Sequence, residues 1–300
     1  MKGVAAAALA AAFAVPLARK RRPIGAALTT AAVAAGPPAL AVLRPRSRMR
    51  DAVLYALQTW AFVVAHELPY DDPEVARRRL RIKYPIALDK VIGRGELPNV
   101  RLQRALAGLG KGNTIDRILS YFHWAWFIEP HATLIWILAR HPERFARAAR
   151  QMSAVYDIGC ATYFAVPTAP PWWASENGYT DGEVRRIMLE VGEETWGRAW
   201  PTLYGSLGGN PWAAMPSLHF GSSLMAAFLL AESGPVEGAI GFGYAGVLGF
   251  ALVYLGEHYV TDLLAGAATV FAVRRGEPML EPAALAMSRG LQRLERIANG

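Results

Sequence analysis

Apolar and polar positions follow one another along this chain in long blocks rather than short periods. Met1 to Ala18 is Ala-rich and apolar and is followed by Arg19-Lys20-Arg21-Arg22. Pro23 to Leu43 is a second apolar run, closed by Arg44, Arg46, Arg48 and Arg50. Asp51 to Leu68 is a third, with Trp60 inside it and His66-Glu67 at its end. Runs of this length bounded by basic residues predict membrane helices or interfacial anchors. The basic cluster follows the first apolar stretch instead of preceding it, so an uncleaved anchor fits better than a signal peptide.

Pro69 to Asp116 breaks the pattern. Arg77, Arg78, Arg79, Arg81, Lys83, Lys90 and Arg94 are scattered among apolar residues, which predicts either short amphipathic helices at a membrane interface or an ordinary soluble connection. Apolar blocks then resume. Ile118 to Ala139 predicts one span, rich in tryptophan but carrying His123, Glu129 and His131, which are expected to face a bundle interior. For His123 and His131 satisfied structural hydrogen bonding is the expected role, with a place bordering the active cavity as the alternative. Phe145 to Thr168 predicts another, with Asp157 inside it and Tyr163 opening the run YFAVPTAPPWW. Its adjacent prolines and Trp172-Trp173 suit a helix end anchored at the interface. In the polar stretch 174–211, Asp181 to Trp200 has helical periodicity, with Val184, Ile187, Met188, Val191 and Trp196 on one face. Three closely spaced spans follow, Met215–Ala231, Ala239–Leu255 and Tyr259–Val273, the last ended by Arg274-Arg275.

The architecture expected is therefore all-α: a polytopic membrane helical bundle of about six core spans, with more possible at the N-terminus, and interfacial amphipathic helices. It divides into N-terminal membrane helices (1–68), a basic interfacial segment (69–116), a catalytic membrane domain (117–275) and an amphipathic C-terminal tail (276–300). Counting each span once puts the Arg140–Arg144 turn, Ser233-Gly234-Pro235 and Arg274-Arg275 on one side, expected to be cytoplasmic. Trp173, His219 and His258 then share the extracytoplasmic side. The same count places the basic 69–116 segment outside, against the usual bias.

Composition agrees with a membrane protein. Hydrophobic residues make up 53% and charged residues 19%. The formal net charge of +8 is dispersed between apolar runs, which suits anionic lipid head groups and lacks any nucleic-acid-binding signature. Cys160, the one cysteine, allows no intrachain disulfide and no zinc–thiolate site, and reads as a small buried hydrophobe.

The candidate chemistry lies between Asn210 and Gly266, where His219, His258 and Asp262 interrupt apolar sequence. An ionisable group in an apolar helix costs roughly 2.5–3.5 kcal/mol on insertion scales and so marks function by default. His258 and Asp262 are four residues apart, on one face of a helix. A carboxylate there can orient an imidazole and raise its basicity, fitting it to act as nucleophile or general base. A second histidine from a neighbouring helix can protonate a leaving oxygen. Phosphoryl transfer needs no more than this if nearby donors hold the phosphate. A metal-binding facial triad and a transporter pathway are alternative uses of the same groups.

PSLH (Pro216 to His219) and HYVTDLLAG (His258 to Gly266) resemble the second and third motifs of the type 2 phosphatidic acid phosphatase superfamily. YLGEHYVTD and YFAVPTAPPWW are closer to its inositol phosphorylceramide synthase-like branch. The resemblance covers roughly Ile118 to Arg275. It implies that His258 attacks phosphorus, Asp262 orients it, His219 protonates the departing alkoxide and Ser217 binds a phosphate oxygen, with no metal or cofactor. Two basic positions of the superfamily are missing, since PTAPPWW has none and Leu252 stands where an arginine is usual. Arg198 is the expected replacement, with Lys90 or Arg94 behind it, and Tyr163 is expected to contact substrate. The enzyme implied is a membrane phosphatase or phosphotransferase taking a phospholipid, isoprenoid or sphingolipid phosphate, with water or a polyol such as inositol as acceptor.

Overall fold

The computed structural model describes residues 1–106, 109–200, 202–204 and 209–299. It is helical, and among the described residues extended backbone pairs only at isolated bridges. In chain order the helices are α1 Lys2–Arg19, α2 Ala26–Leu43, α3 Arg48–Glu67, α4 Pro73–Arg79, α5 Lys83–Ile92, α6 Pro98–Leu106 and α7 Thr114–Ala125. After these come α8 Glu129–Arg140, α9 Pro142–Ala165, α10 Pro171–Glu176, α11 Ile187–Trp196, α12 Leu218–Ala231, α13 Pro235–Tyr254 and α14 Val260–Asn299. Among them α1, α2 and α13 are long and apolar enough to cross a membrane, and α12 is a shorter apolar helix.

The expected span Ile118–Ala139 is two helices. Pro130 has no N–H to give the Trp126 carbonyl, so the α-helical ladder cannot continue through this point. The N–H groups of Trp126, Phe127 and Ile128 turn instead to carbonyls three residues back, at 3.2, 3.2 and 3.0 Å. A second difference lies at the C-terminus, where the expected span and tail form one 40-residue helix, α14, despite Pro278 and Pro282.

The chain forms two compact units. One comprises Met1–Leu68, Leu134–Ala154 and Ala272–Gly300. In it α1 and α2 approach so closely that a Cβ on Gly36 would sit 3.0 Å from the Ala12 methyl. The indole N–H of Trp60 closes the third helix onto them, 2.9 Å from the Ala12 carbonyl. Several charges of this unit pair within it: Arg19 with Glu67, Arg50 with Glu295, and Arg147 and Arg150 with Glu277.

The other unit, Pro69–Thr133 with Val155–Phe271, holds the motif residues. Its centre is the α12–α13 hairpin. A Cβ on Gly241 would stand 2.7 Å from the Ala227 backbone, and one on Gly238 2.9 Å from Ala231, so small residues let the two helices touch along their length. Ile187, Met188 and Val191 of α11 pack with Leu119, Ala251, Tyr254, Leu255 and Trp200 in an apolar core. Trp196, expected on that buried face, is exposed; Trp200 turns back in its place and lies against Gly192.

The basic segment 69–116 forms the amphipathic helices α4 to α6, and its buried polar residues bind helix ends near the motifs. Both carboxylate oxygens of Asp89 accept the first-turn N–H groups of α14, from Val260 and Thr261, at 2.9 Å each. They satisfy donors that a helix start leaves open. Asn99 donates to the Val253 and His258 carbonyls at 2.7 and 3.0 Å, and Gln103 to Tyr254 and Arg185 at 2.8 and 2.9 Å.

Candidate active site

Three segments distant in sequence frame the site. The backbone of 166–169 runs extended between Arg81 and the 212–214 stretch, exchanging hydrogen bonds of 2.8 to 3.4 Å with both. Val166 and Ala169 each precede a proline, which favours extended backbone at both, and Pro167 blocks further helix after α9. The 212–214 stretch leads directly into Pro216-Ser217-Leu218-His219, so the first motif positions the second.

Ser217 caps α12. Its backbone is extended and its hydroxyl accepts the Phe220 N–H at 3.2 Å. Its own N–H reaches the Asp262 carbonyl at 2.9 Å, tying the start of α12 to the first turn of α14. Gly266 makes that approach possible, since a Cβ there would lie 2.6 Å from the Ser217 carbonyl. Tyr163, expected to touch substrate, is buried and donates its hydroxyl to the Pro216 carbonyl at 2.7 Å, which makes it a support for the turn.

With α12 and α14 joined in this way, the three ionisable residues line up. Nδ1 of His219 lies 3.1 Å from Nε2 of His258, and Nδ1 of His258 lies 3.2 Å from Oδ2 of Asp262. The same Asp262 oxygen accepts the Tyr259 N–H at 2.8 Å, which fixes the carboxylate. Because that carboxylate accepts, His258 carries its proton on Nδ1, and its Nε2 lone pair faces His219. His219 therefore presents an Nδ1–H donor. Its other environment is aromatic: the Trp126 ring lies 4.2 Å away and the His123 ring 4.9 Å. The Trp126 indole is itself held by Ser222 Oγ at 2.8 Å.

A family model described as the PAP2 superfamily matches residues 100–274, more than half of the chain. The chain belongs to the PAP2 superfamily. No curated protein and no solved structure matches it. The PAP2 superfamily is a helical membrane fold of phosphatase-type enzymes whose members act on lipid phosphates in membranes. The ordered motifs at Tyr163, Pro216 and His258 lie inside the matched region.

The cations expected to clamp phosphate are not gathered here. Arg198 is exposed on the 3₁₀ turn Gly197–Ala199 and contacts neither histidine among the described residues. Gly197, in the left-handed region at φ 60°, turns the chain there. Lys90 pairs with Asp181, and Arg94 is exposed. A cation that nothing around it in the sequence singles out, Arg186, stands beside the site. Its Nε and Nη2 donate to Glu257, the neighbour of His258, at 2.9 and 3.4 Å. Burial alone would raise the Glu257 carboxyl, but the Arg186 charge holds it below its ordinary range. The signal for it was Glu257 itself, a lone carboxylate inside an apolar motif.

Proposed function

We propose that this PAP2 superfamily member is an integral-membrane lipid phosphatase or phosphotransferase that works through a phosphohistidine on His258. The observation that carries this reading is the unbroken line from His219 through His258 to Asp262. It supplies a basic nitrogen, a proton donor facing it and a carboxylate behind it.

The phosphorus of a lipid phosphate enters between the two imidazoles and replaces their hydrogen bond. The Nε2 lone pair of His258 forms the N–P bond as the P–O bond to the lipid breaks, and the Nδ1–H proton of His219 passes to the departing oxygen. Positive charge that develops on His258 is stabilised by Asp262 through Nδ1–H. In the second half His219 takes a proton from the acceptor, whose oxygen attacks phosphorus and frees His258. Water as acceptor gives hydrolysis. A polyol such as inositol gives a phosphoinositol lipid when the substrate is a phosphodiester. The bond that breaks is then the one to the head group, whose oxygen takes the His219 proton. The lipid phosphate stays on His258 until inositol attacks, an outcome favoured by the YLGEHYVTD and APPWW motifs. Ser217 accepts a backbone N–H through Oγ, so its own O–H proton is available to a phosphate oxygen.

The active site belongs on the extracytoplasmic face in this reading. Support for that face comes from the count of apolar runs against the basic turns. Support for a place at head-group level comes from α5 and α6, which bind the backbone at Val260 and His258, and from Trp172, whose N–H meets the Gly256 carbonyl at 3.1 Å. All are segments that belong near head groups. Purified protein in detergent, given a panel of lipid phosphates and phosphodiesters with and without inositol, tests the reading. Phosphate or a new inositol lipid should appear with wild type and not with His258→Ala. A wild type that turns over nothing would overturn it.

A further inference from the structure

The mechanism above leaves the phosphate oxygens without a cation, and it leaves one buried histidine unused. His123 is fully buried, and its ring lies 4.9 Å from that of His219. Neither of its nitrogens has a hydrogen-bond partner among the described residues. An imidazole serving structure alone is expected to bond through at least one nitrogen, because a buried donor left unsatisfied is costly. Three histidines meet here, yet among the described residues no group of three His, Cys, Asp or Glu side chains converges as metal ligands would.

Arg186 supplies the second observation. Glu257 fixes one edge of its guanidinium, and the plane lies 4.0 Å over the Trp172 ring and 5.2 Å from that of Tyr204. Two of its five N–H groups are used on Glu257. His123 is within electrostatic reach of Arg186, Glu257 and His258 alike. Arg186 also lines a cleft of about 340 Å³ with Ser175, Glu176 and Glu183, so it meets both the buried cluster and the surface. Leu252, at the position where the superfamily carries an arginine, is fully buried in apolar surroundings.

We infer that His123 and Arg186 together hold the phosphate oxygens of the substrate, with Glu257 as the positioning residue for Arg186. The inference rests on phosphoryl transfer at His219 and His258. It explains why neither usual basic position is needed: an arginine braced by a carboxylate and two rings is already oriented when charge builds on the equatorial oxygens. His123 faces the same oxygens from beside the proton donor.

Binding of radiolabelled inorganic phosphate to the full chain in detergent tests this without requiring turnover. Wild type should bind phosphate, and His123→Gln should bind it at least tenfold more weakly. Arg186→Met alone risks misfolding, so the Arg186→Met/Glu257→Leu pair is measured too, together with its melting temperature. It should melt near wild type and bind at least tenfold more weakly, while Arg186→Lys binds at an intermediate level. Phosphate bound at wild-type strength by both His123→Gln and a folded double variant would overturn the inference, as would a wild type that binds none. If His258→Ala keeps its turnover while the His123 and Arg186 variants lose phosphate, the clamp stands and the phosphohistidine falls.

Discussion

Nε2 of His258 and Nδ1 of His219 face one another at 3.1 Å, so the lone pair that would attack phosphorus and the proton that would leave with the lipid share one hydrogen bond. Substrate must part the pair, and the two roles then separate in mutants. His258→Ala should abolish turnover of every substrate. His219→Ala should lower turnover of an alkyl lipid phosphate by about 10²–10⁴-fold, the usual worth of a general acid. With an aryl phosphate, whose leaving group needs no proton, the loss should shrink to under about tenfold. Steady-state kinetics on both substrates checks this; equal losses on the two would remove His219 as the acid.

Asp262→Asn keeps the shape, but an amide nitrogen in the place of Oδ2 presents an N–H to His258 and gives up the bond from the Tyr259 N–H. The imidazole then takes the other tautomer, with its Nε2 proton facing the substrate. By comparison with a carboxylate that orients a catalytic histidine elsewhere, kcat should fall about 10⁴-fold with little change in KM. A KM effect alone would contradict an orienting role.

Gly266→Ala should disable the site without touching it. The added Cβ meets the Ser217 carbonyl at 2.6 Å, backbone against side chain, so α12 and α14 must separate and His219 leaves His258. Activity is expected to drop more than tenfold and the melting temperature to fall. Gly243→Ala on α13 meets nothing within 4 Å and should change neither by much.

The Arg186–Glu257 pair should be visible in stability against pH. The folded Glu257 carboxyl lies below its ordinary value of 4.5, so its contribution is fully present above that pH and is lost as pH falls through the lower folded value. Glu257→Gln should remove that part of the acid sensitivity. Arg186→Met alone leaves a buried carboxylate unpaired and should cost about 3–5 kcal/mol, most of which Arg186→Met/Glu257→Leu restores. Melting curves from about pH 2 to pH 7, a range that brackets the lowered carboxyl, read both effects.

Much of this arrangement was legible in the sequence because its parts are local. His258 and Asp262 meet through helical spacing, Ser217 caps the helix that it begins, and the apolar runs of α1, α2 and α13 are plain from composition. What escaped depends on partners far apart in the chain. Asn99 reaches the His258 carbonyl across 159 residues, and Asp89 caps α14 across 172. Pro130, whose missing N–H divides the expected span in two, was readable in advance and was outweighed by the apolar run around it. Arg186 looked like one more arginine of a polar stretch, and only its packing against Trp172 and Glu257 separates it from Arg198, which stays in solvent.

The most direct test of the central claim is covalent trapping. Protein mixed with a lipid phosphate carrying ³²P and quenched in base should hold label that is stable to alkali, is released by acid and maps by peptide sequencing to His258. His258→Ala should hold none. Wild-type turnover with no label on His258, or label unchanged in the variant, would contradict the account.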